Sequence, residues 1–171
     1  MKKFNLKVKE KLDNFFDWVK GAELLELKSC NSSEDPVRPE LNNKFRTSHG
    51  RKIYGVQYKK EICAIMCFGF TNDIPKTVEE LDLMTRDAHL QSALRGQKVG
   101  KIAIAYTIWS KKRGGGKLIV KEVFKKIKQS NHLNRLVTLS PLTDVARNFH
   151  LQNGAFELQI NEKTQNFEYR I

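Results

Sequence analysis

One short segment of the chain combines glycine with positive charge in a way that suits phosphate binding. It reads Lys111-Lys112-Arg113-Gly114-Gly115-Gly116-Lys117 and separates an apolar run from an amphipathic one. Without Cβ atoms, backbone N–H groups can point at an anion, and the positive end of a following helix adds attraction. The segment matches neither a Walker loop nor a Gly-x-Gly-x-x-Gly motif. We predict a pyrophosphate site here, with a flexible hinge as the alternative.

Two further residues could carry out chemistry on a bound ligand. His150 can exchange a proton near neutral pH, and Ser140 lies at the end of a predicted strand, where ligands bind in open α/β sheets. Each also has an ordinary structural explanation. His150 could be a packed residue of an amphipathic helix, and Ser140 could cap a helix that begins at Pro141.

The cysteines and the remaining histidines do not form a metal-binding pattern. Three cysteines cannot all pair with one another, which favours a reducing, cytoplasmic compartment. Two of them, Cys63 and Cys67, fall inside one predicted strand, and we interpret them as buried thiols. We predict no metal site. The other residues considered are Cys30, His49, His89 and His132.

Apolar periodicity predicts the elements that must position these residues. A capping box of Thr77 and Glu80 marks the start of one helix. The segment Asn31 to Gly50 is predicted to be an irregular surface segment because Pro36 and Pro39 exclude a regular helix; it is either a substrate loop or a plain connector. The predicted helices are Lys3 to Lys20, Thr77 to Leu94, Lys117 to Ser130 and Leu142 to Asn153. The predicted strands are Glu23 to Cys30, Lys52 to Tyr58, Ile62 to Phe70, Lys101 to Trp109, Arg135 to Leu139, Ala155 to Ile160 and Asn166 to Ile171.

This order of elements predicts one mixed α/β domain, residues 23–171, with a basic amphipathic helix packed on it, residues 1–22. The chain has 171 residues, of which 40% are apolar, and a net charge of +12 from 31 Lys and Arg against 19 Asp and Glu. That charge favours an anionic partner. No apolar run is long enough to span a bilayer. Nucleic acid ranks third among the function classes because no known reader motif is present.

The glycine loop and the last predicted helix resemble the GNAT (Gcn5-related acyltransferase) superfamily. Lys111-x-x-Gly114-x-Gly116 resembles its pyrophosphate loop, with Lys in place of Gln or Arg. Ala146-Arg147-Asn148-Phe149-His150-x-x-x-Gly154-Ala155 resembles its last helix. The resemblance runs from about Glu23 to Ile171 and implies a GNAT-like fold that binds acyl-CoA. It also implies that Lys111 to Lys117, together with Asn148, hold the CoA.

One branch of that superfamily resembles the chain more closely. Phe149-His150-Leu151-Gln152-Asn153-Gly154-Ala155 is nearly identical to a motif of the malonyl-CoA decarboxylase catalytic domain, and Leu139-Ser140-Pro141 resembles its Ser-Leu-Ser-Pro segment. The strand Ala105 to Ser110 is also similar. The resemblance implies that Ser140 and His150 are the catalytic pair. The large helical N-terminal domain and the long insertion of those enzymes have no counterpart in this sequence, which leaves the substrate open.

Decarboxylation of a malonyl thioester requires one group that stabilises an enolate and one that delivers a proton to carbon. We assign the proton to His150 and an orienting role to Ser140, so that malonyl-CoA would yield acetyl-CoA and CO2. The alternative is an N-acetyltransferase that uses the same CoA loop and an amine acceptor. Such an enzyme needs a general base, and no residue stands out among the candidates, which are Glu61, Glu79 and Asp82. Asp73 and the segment Asn31 to Gly50 are the candidates to face the amine acceptor.

Overall fold

The computed structural model describes residues 17–170. Most of the predicted N-terminal helix therefore lies outside the described residues. Residues 17–21 are helical, and Trp18 is only 3% exposed, with its ring 5.9 Å from that of Tyr58. This last turn packs on the core. No helix within residues 17–170 is both long and apolar enough to cross a membrane.

Eight strands of the described chain form one mixed sheet. They are β1 (Glu23–Leu27), β2 (Lys52–Tyr58), β3 (Glu61–Thr71), β4 (Ile102–Ser110), β5 (Arg135–Thr138), β6 (Ser140–Pro141), β7 (Ala155–Ile160) and β8 (Thr164–Tyr169). Their order in the sheet is β1-β2-β3-β4-β5-β8-β6, and β7 pairs with β8 beside this path. Neighbouring strands are antiparallel except β4 and β5, which are parallel. The predicted α/β layout is confirmed.

Besides the helical turn at residues 17–21 and a short 3-10 helix (Ser32–Glu34), four α-helices of the described chain pack on the sheet. They are α1 (Asn43–Thr47), α2 (Val78–Arg95), α3 (Gly115–Lys128) and α4 (Asp144–Gln152). One face is covered by α3, through Leu118, Ile119 and Val123, and the other by α1 and α2. The predicted cap at Thr77 is confirmed because its hydroxyl accepts the Glu80 N–H at 3.1 Å.

The segment from Asn31 to Gly50 is more ordered than predicted. Asn42 caps α1 by accepting the Phe45 N–H, so a short helix forms once the chain has passed the two prolines. The segment is also not confined to the surface. Asp35, Arg38 and Arg46 are buried, at 1%, 6% and 0% exposed. The prediction of an irregular surface segment was wrong because these charged residues are stabilised by partners far away in the sequence.

Two bulges shape the central strands. In β3, Cys63 is an extra residue between pairs Val56–Ala64 and Gln57–Ile62, so its side chain packs on the α3 face, while Cys67 packs on the opposite face. In β4, Tyr106 is the extra residue, between pairs Phe68–Ala105 and Cys67–Thr107. A bulge bends a strand and increases its twist.

The bulge in β4 lies where β4 separates from β5. Pairing with β5 covers only Ile102 to Ala105, whereas β4 continues to Ser110. At and beyond the bulge, β4 is held by two residues of the segment between β1 and α1. The guanidinium of Arg38 donates to the Tyr106 carbonyl oxygen, and the Thr107 hydroxyl lies 2.8 Å from each carboxylate oxygen of Asp35.

Asp35 is the centre of this buried network. It accepts a hydrogen bond from Arg46 at 2.8 Å and from the backbone N–H groups of Val37 and Arg38. Arg46 also donates to the Arg38 carbonyl oxygen at 2.8 Å. Each buried charge thus has a partner, as its desolvation requires.

We expect Asp35→Ala to lower the free energy of unfolding by about 3–5 kcal/mol, because it leaves the Arg46 guanidinium buried without a counter-charge. Chemical denaturation measures the loss. The matched control is Glu122→Ala, which breaks an exposed pair with Lys125 at 2.9 Å and should cost less than about 1 kcal/mol. Equal losses in the two variants would contradict a structural role for the buried pair.

Candidate active site

A cavity of about 460 Å³ occupies the space between β4 and β6, where the sheet has separated. One wall is the part of β4 beyond Ala105, and the opposite wall is the start of α4. Among the described residues that line it, none carries a carboxylate, an ammonium or a guanidinium group. The lining comprises Pro36, Val37, residues 105–110, Gly116, Ser140, Pro141, Thr143, Val145, Ala146, Phe149 and His150.

Ser140 and His150, predicted as a pair from the sequence, come together in this wall. The Ser140 Oγ atom lies 2.8 Å from His150 Nε2, and His150 Nδ1 lies 2.9 Å from the Tyr169 hydroxyl oxygen. Both members of the pair are buried, at 5% and 4% exposed. The three side chains form a continuous hydrogen-bonded chain that ends at the cavity.

The local structure explains why these two side chains meet. Ser140 lies in β6, just past the carboxyl end of β5, and pairs with Gln165 of β8. It does not cap α4, because Thr143 does so by accepting the Ala146 N–H at 3.2 Å. Its hydroxyl therefore remains available to the cavity. His150 is fixed from α4 by stacking on Phe167, with ring centroids 5.0 Å apart.

Burial sets the charge state of this chain. It lowers the pKa of His150 to about 4 and raises the pKa of Tyr169. At neutral pH the imidazole is therefore uncharged, with one ring nitrogen donating and the other accepting. His150 can orient a hydroxyl or pass on a proton, but an imidazolium acid is disfavoured at pH 7.

The Ser140 hydroxyl has a second partner, since Oγ also lies 2.9 Å from Thr138 Oγ1. If His150 carries its proton on Nε2, it donates to Ser140 Oγ and leaves the serine hydrogen free. That hydrogen can then point to Thr138 or to a ligand in the cavity. A hydroxyl that accepts one hydrogen bond becomes a stronger donor of another.

The glycine loop forms the start of α3, and each of its three glycines has its own structural explanation. Gly114 caps the helix with a φ of +82°, a left-handed conformation that glycine adopts without strain. A Cβ atom on Gly115 would lie 3.0 Å from the Ser110 Cβ, and one on Gly116 would lie 3.0 Å from the Phe149 ring. Close packing within the chain thus accounts for two of the three glycines, which the sequence analysis had attributed to an approaching ligand.

The basic residues of the loop do not all face the same way. Lys111 forms an ion pair with Glu34 at 2.5 Å, and the Lys112 ammonium lies over the Tyr58 ring, 4.4 Å from its centroid. Arg113 and Lys117 are exposed at the start of α3. The helix N-terminus and these two side chains are therefore the better placed part of the predicted phosphate site.

Asn148 and the acidic candidates do not line the cavity. Asn148 is exposed on α4 two residues before His150, so the two side chains leave the helix in nearly opposite directions. Its contact with CoA stays a prediction. Asp82 is paired with Arg51 at 2.7 Å and with Arg86. Glu61, Asp73 and Glu79 are likewise absent from the cavity wall.

Thr138 and Tyr169 also belong to the site, and neither was predicted from the sequence. Tyr169 reaches His150 from β8, and Thr138 reaches Ser140 from β5. Neither belongs to a motif, and only the pairing of β5 with β8 brings them near the site. Within residues 17–170 no cluster of three or more potential metal ligands occurs.

No protein-family model matches the chain, and no curated protein matches its sequence. Solved structures match its fold. They include malonyl-CoA decarboxylase from Rhodopseudomonas palustris, at 14% identity and a TM-score of 0.60 over 94% of this chain and 59% of that one. GphF, a GNAT-like decarboxylase in complex with isobutyryl-CoA, matches at 11% identity and a TM-score of 0.62 over 86% and 98% of the two chains. A Bacillus subtilis acetyltransferase in complex with CoA matches at 11% and 0.58 over 88% and 97%.

These similarities establish the fold, and the predicted GNAT fold is confirmed. The chain spans less than two thirds of the malonyl-CoA decarboxylases that it matches. The coverage is 59% of the R. palustris protein and 34% of a second one, from Cupriavidus metallidurans, with 22% identity and a TM-score of 0.49 over 78% of this chain.

The buried His150 predicts a loss of stability in acid. Its pKa is about 4 in the folded chain and 6.5 ordinarily, so the unfolded chain binds more protons between these values. Stability should therefore fall as the pH drops from 6.5 to 4, by up to about 3 kcal/mol from this residue. We expect His150→Gln to flatten the pH dependence of the unfolding free energy across that window. Parallel curves for the two proteins would contradict a neutral buried imidazole.

Proposed function

We propose that this GNAT-fold chain is an enzyme that decarboxylates a malonyl thioester of CoA, with Ser140 as the group that stabilises the enolate. One observation carries the proposal. The Ser140–His150–Tyr169 chain ends in a cavity whose described lining has no charged side chain. Such a site suits a reaction that removes a carboxylate and needs a single well-oriented hydrogen-bond donor.

The same cavity offers a route for the rest of the thioester. Gly116, at the start of α3, lines one end, so the CoA pyrophosphate would lie against the helix N-terminus beside Arg113 and Lys117. The pantetheine arm would follow the edge of β4 that β5 has left.

The chemistry follows from the cavity walls. When the bond between the carboxylate carbon and C2 breaks, its electron pair becomes the enolate and the charge moves to the thioester oxygen. Apolar walls disfavour the carboxylate relative to neutral CO2. The Ser140 hydroxyl donates to the thioester oxygen as its charge grows, in place of its hydrogen bond to Thr138.

The product needs a proton at C2. We assign its delivery to the Ser140 hydroxyl: as this proton moves to C2, the Nε2 proton of His150 moves to Ser140 Oγ and the Tyr169 hydroxyl proton moves to His150 Nδ1, so that the imidazole stays neutral. A proton from solvent then restores the chain, which supplies the one proton that the reaction consumes. This differs from the sequence-based assignment of His150 as the acid. Because burial lowers its pKa to about 4, His150 contributes as a neutral group that orients and reprotonates Ser140. Tyr169 fixes the imidazole from the other side.

Acyl transfer to an amine would need a group that deprotonates the incoming ammonium. No carboxylate lines the cavity within the described residues, and both nitrogens of His150 are already engaged. The arrangement therefore supports decarboxylation over N-acetyl transfer.

The decisive measurement is the conversion of malonyl-CoA to acetyl-CoA by the purified protein, with no amine present. Ser140→Ala should lower kcat by about 10²–10³, the usual loss when one oxyanion donor is removed. His150→Gln should also lower kcat, since Ser140 loses its orienting partner. His132→Gln, outside the cavity, is the matched control and should keep full activity. Failure to form acetyl-CoA, or full turnover by Ser140→Ala, would overturn the proposal, and CoA release only on addition of amines would favour the transferase.

The CoA site can be tested separately by thermal stabilisation. Arg113→Gln with Lys117→Gln removes two charges at the start of α3 and should weaken CoA binding by about tenfold or more. Lys126→Gln with Lys128→Gln, in the last turn of the same helix, removes the same charge and should leave binding intact. Equal weakening by both pairs would point to general charge attraction. Gly115→Val is unsuitable here because it disturbs packing against Ser110.

A further inference from the structure

Three of the four histidines of the chain line a second cavity, which we call the histidine pocket after His49, His89 and His132. Its volume is about 280 Å³. It lies beside the amino ends of β4 and β5, between α2 and the segment that joins α3 to β5. The first cavity lies beyond Ala105, toward the other end of β4. The two cavities are therefore separate sites.

Several polar side chains of the histidine pocket are already engaged within the chain. Ser92 Oγ accepts a backbone N–H at 2.9 Å. His132 Nε2 lies 3.0 Å from the Gly100 carbonyl oxygen, and because a carbonyl only accepts, Nε2 carries the hydrogen. Lys52 forms an ion pair with Glu26 at 2.6 Å. These contacts shape the pocket and use up the groups that make them.

Three basic side chains of the pocket stay available to a ligand. Among residues 17–170, the side chains of His49, His89 and Lys98 form neither a hydrogen bond nor an ion pair with another residue. The rings of His49 and His89 lie 6.0 Å apart, centroid to centroid. His49 is half-buried, whereas His89 and Lys98 are exposed. The two imidazoles and one ammonium thus offer hydrogen-bond donors around one opening.

His49 reaches this place through an unusual backbone conformation. Its φ is +53°, in the left-handed region, and Gly50 follows with a φ of +74°. The Arg51 N–H donates to the Ser48 carbonyl oxygen at 3.0 Å and closes the turn. A residue with a side chain adopts this conformation at a cost in free energy, and such residues are concentrated at binding and catalytic sites. The turn brings the His49 ring to His89 of α2.

The charges around the pocket favour an anion over a metal cation. Within the described residues no carboxylate lines the pocket, whereas Lys98 does. Arg51 and Arg86 add positive charge near His49. Asp82 is also near His49, but its carboxylate is already paired with both arginines, at 2.7 Å each. That part of the chain also contains no cluster of three or more potential metal ligands.

The rest of the lining favours an organic anion over an inorganic one. Phe70, Val99 and Leu133 contribute apolar surface to the pocket. Gly100 lets this wall close up, because its φ is +89° and a Cβ atom there would lie 3.0 Å from the Phe70 carbonyl carbon. An inorganic anion would leave the apolar surface in water, whereas a ligand with an apolar part would cover it.

We propose that the histidine pocket binds a small organic acid, whose carboxylate accepts hydrogen bonds from His49, His89 and Lys98 while its apolar part packs on the apolar wall. The proposal does not rest on the proposed decarboxylation. Its ligand is held by a different set of residues, at the other end of β4.

Binding at this site is coupled to protonation. Burial and the charges of Arg51 and Arg86 lower the pKa of His49, while Asp82 acts in the opposite direction and His89 adds to the lowering. A bound carboxylate offsets these positive charges and favours the imidazolium, which donates a stronger hydrogen bond than the neutral ring. The affinity for an organic acid therefore rises as the pH falls. A metal ion would show the opposite dependence, because it needs unprotonated imidazoles.

The histidines themselves report where a ligand binds. The experiment titrates the full chain with benzoate, up to about 10 mM, and follows the imidazole Cε1–H signals by NMR. We expect saturable shifts of His49 and His89 and no shift of His150, which lines the other cavity. Benzamide has the same shape without the charge and should bind at least about tenfold more weakly. The affinity for benzoate should be about tenfold higher at pH 6 than at pH 8.

A pair of substitutions tests the named donors. His89→Gln with Lys98→Gln should weaken benzoate binding by about tenfold or more. Arg95→Gln with Lys101→Gln is the matched control, since it removes two exposed charges beside the pocket from residues that do not line it. We expect the control to change the affinity by less than about twofold.

Several results would overturn the proposal. They are the absence of shifts, shifts of His150 alone, equal binding of benzamide, an affinity that does not rise in acid, or equal weakening by the two pairs of substitutions. Zinc(II) binding to the same imidazoles, stronger at pH 8 than at pH 6 and without any effect of benzoate, would show a metal site instead. The titration uses the unmodified chain, so its result does not depend on whether a variant folds.

Discussion

A single extra residue in β4, Tyr106, turns its carbonyl oxygen out of the β-ladder, and a buried carbonyl must find another donor. The Arg38 guanidinium supplies it, and the backbone of Arg38 is itself held in place. Asp35 accepts the backbone N–H of Arg38, and the Arg46 guanidinium donates both to Asp35 and to the Arg38 carbonyl oxygen. The irregular segment between β1 and α1 is thus fixed to the sheet by the hydrogen bond that Arg38 donates to the bulge carbonyl.

The cavity depends on the same bulge. The bulge lies directly after Ala105, the last residue of β4 that pairs with β5, and it bends β4 at the point where β4 and β5 separate. The opening admits the start of α3 from one side and α4 from the other. Gly116 allows Phe149 to approach α3 closely, and Phe149 precedes the histidine that reaches Ser140. Tyr106, Gly116 and His150 are far apart in the chain, but together they shape the cavity.

Sequence pattern predicted what depends on local rules. Alternation and apolar runs predicted seven of the eight described strands to within a few residues, and Thr77 was correctly predicted to cap a helix. The two-residue strand β6 was missed, because it forms only through pairing with β8. The segment from Asn31 to Gly50 was mispredicted because Asp35 is stabilised by Thr107, 72 residues away. Tyr169 was missed for the same reason, since its place beside His150 follows from strand pairing. Family resemblance, and not pattern, identified Ser140 and His150 as a pair.

Positive charge lies where the CoA phosphates of the proposed substrate would bind, whereas the cavity that would hold the malonyl group is uncharged. The chain carries a net charge of +12, with Arg113 and Lys117 exposed where α3 begins, yet the described lining of the cavity has no charged side chain. The positive charge at the surface attracts the phosphates of CoA from a distance. Neutral walls inside leave a carboxylate without a partner, so its loss as CO2 is favoured. A lysine or arginine within the cavity would bind the malonyl carboxylate more tightly but would stabilise the ground state and slow the bond cleavage.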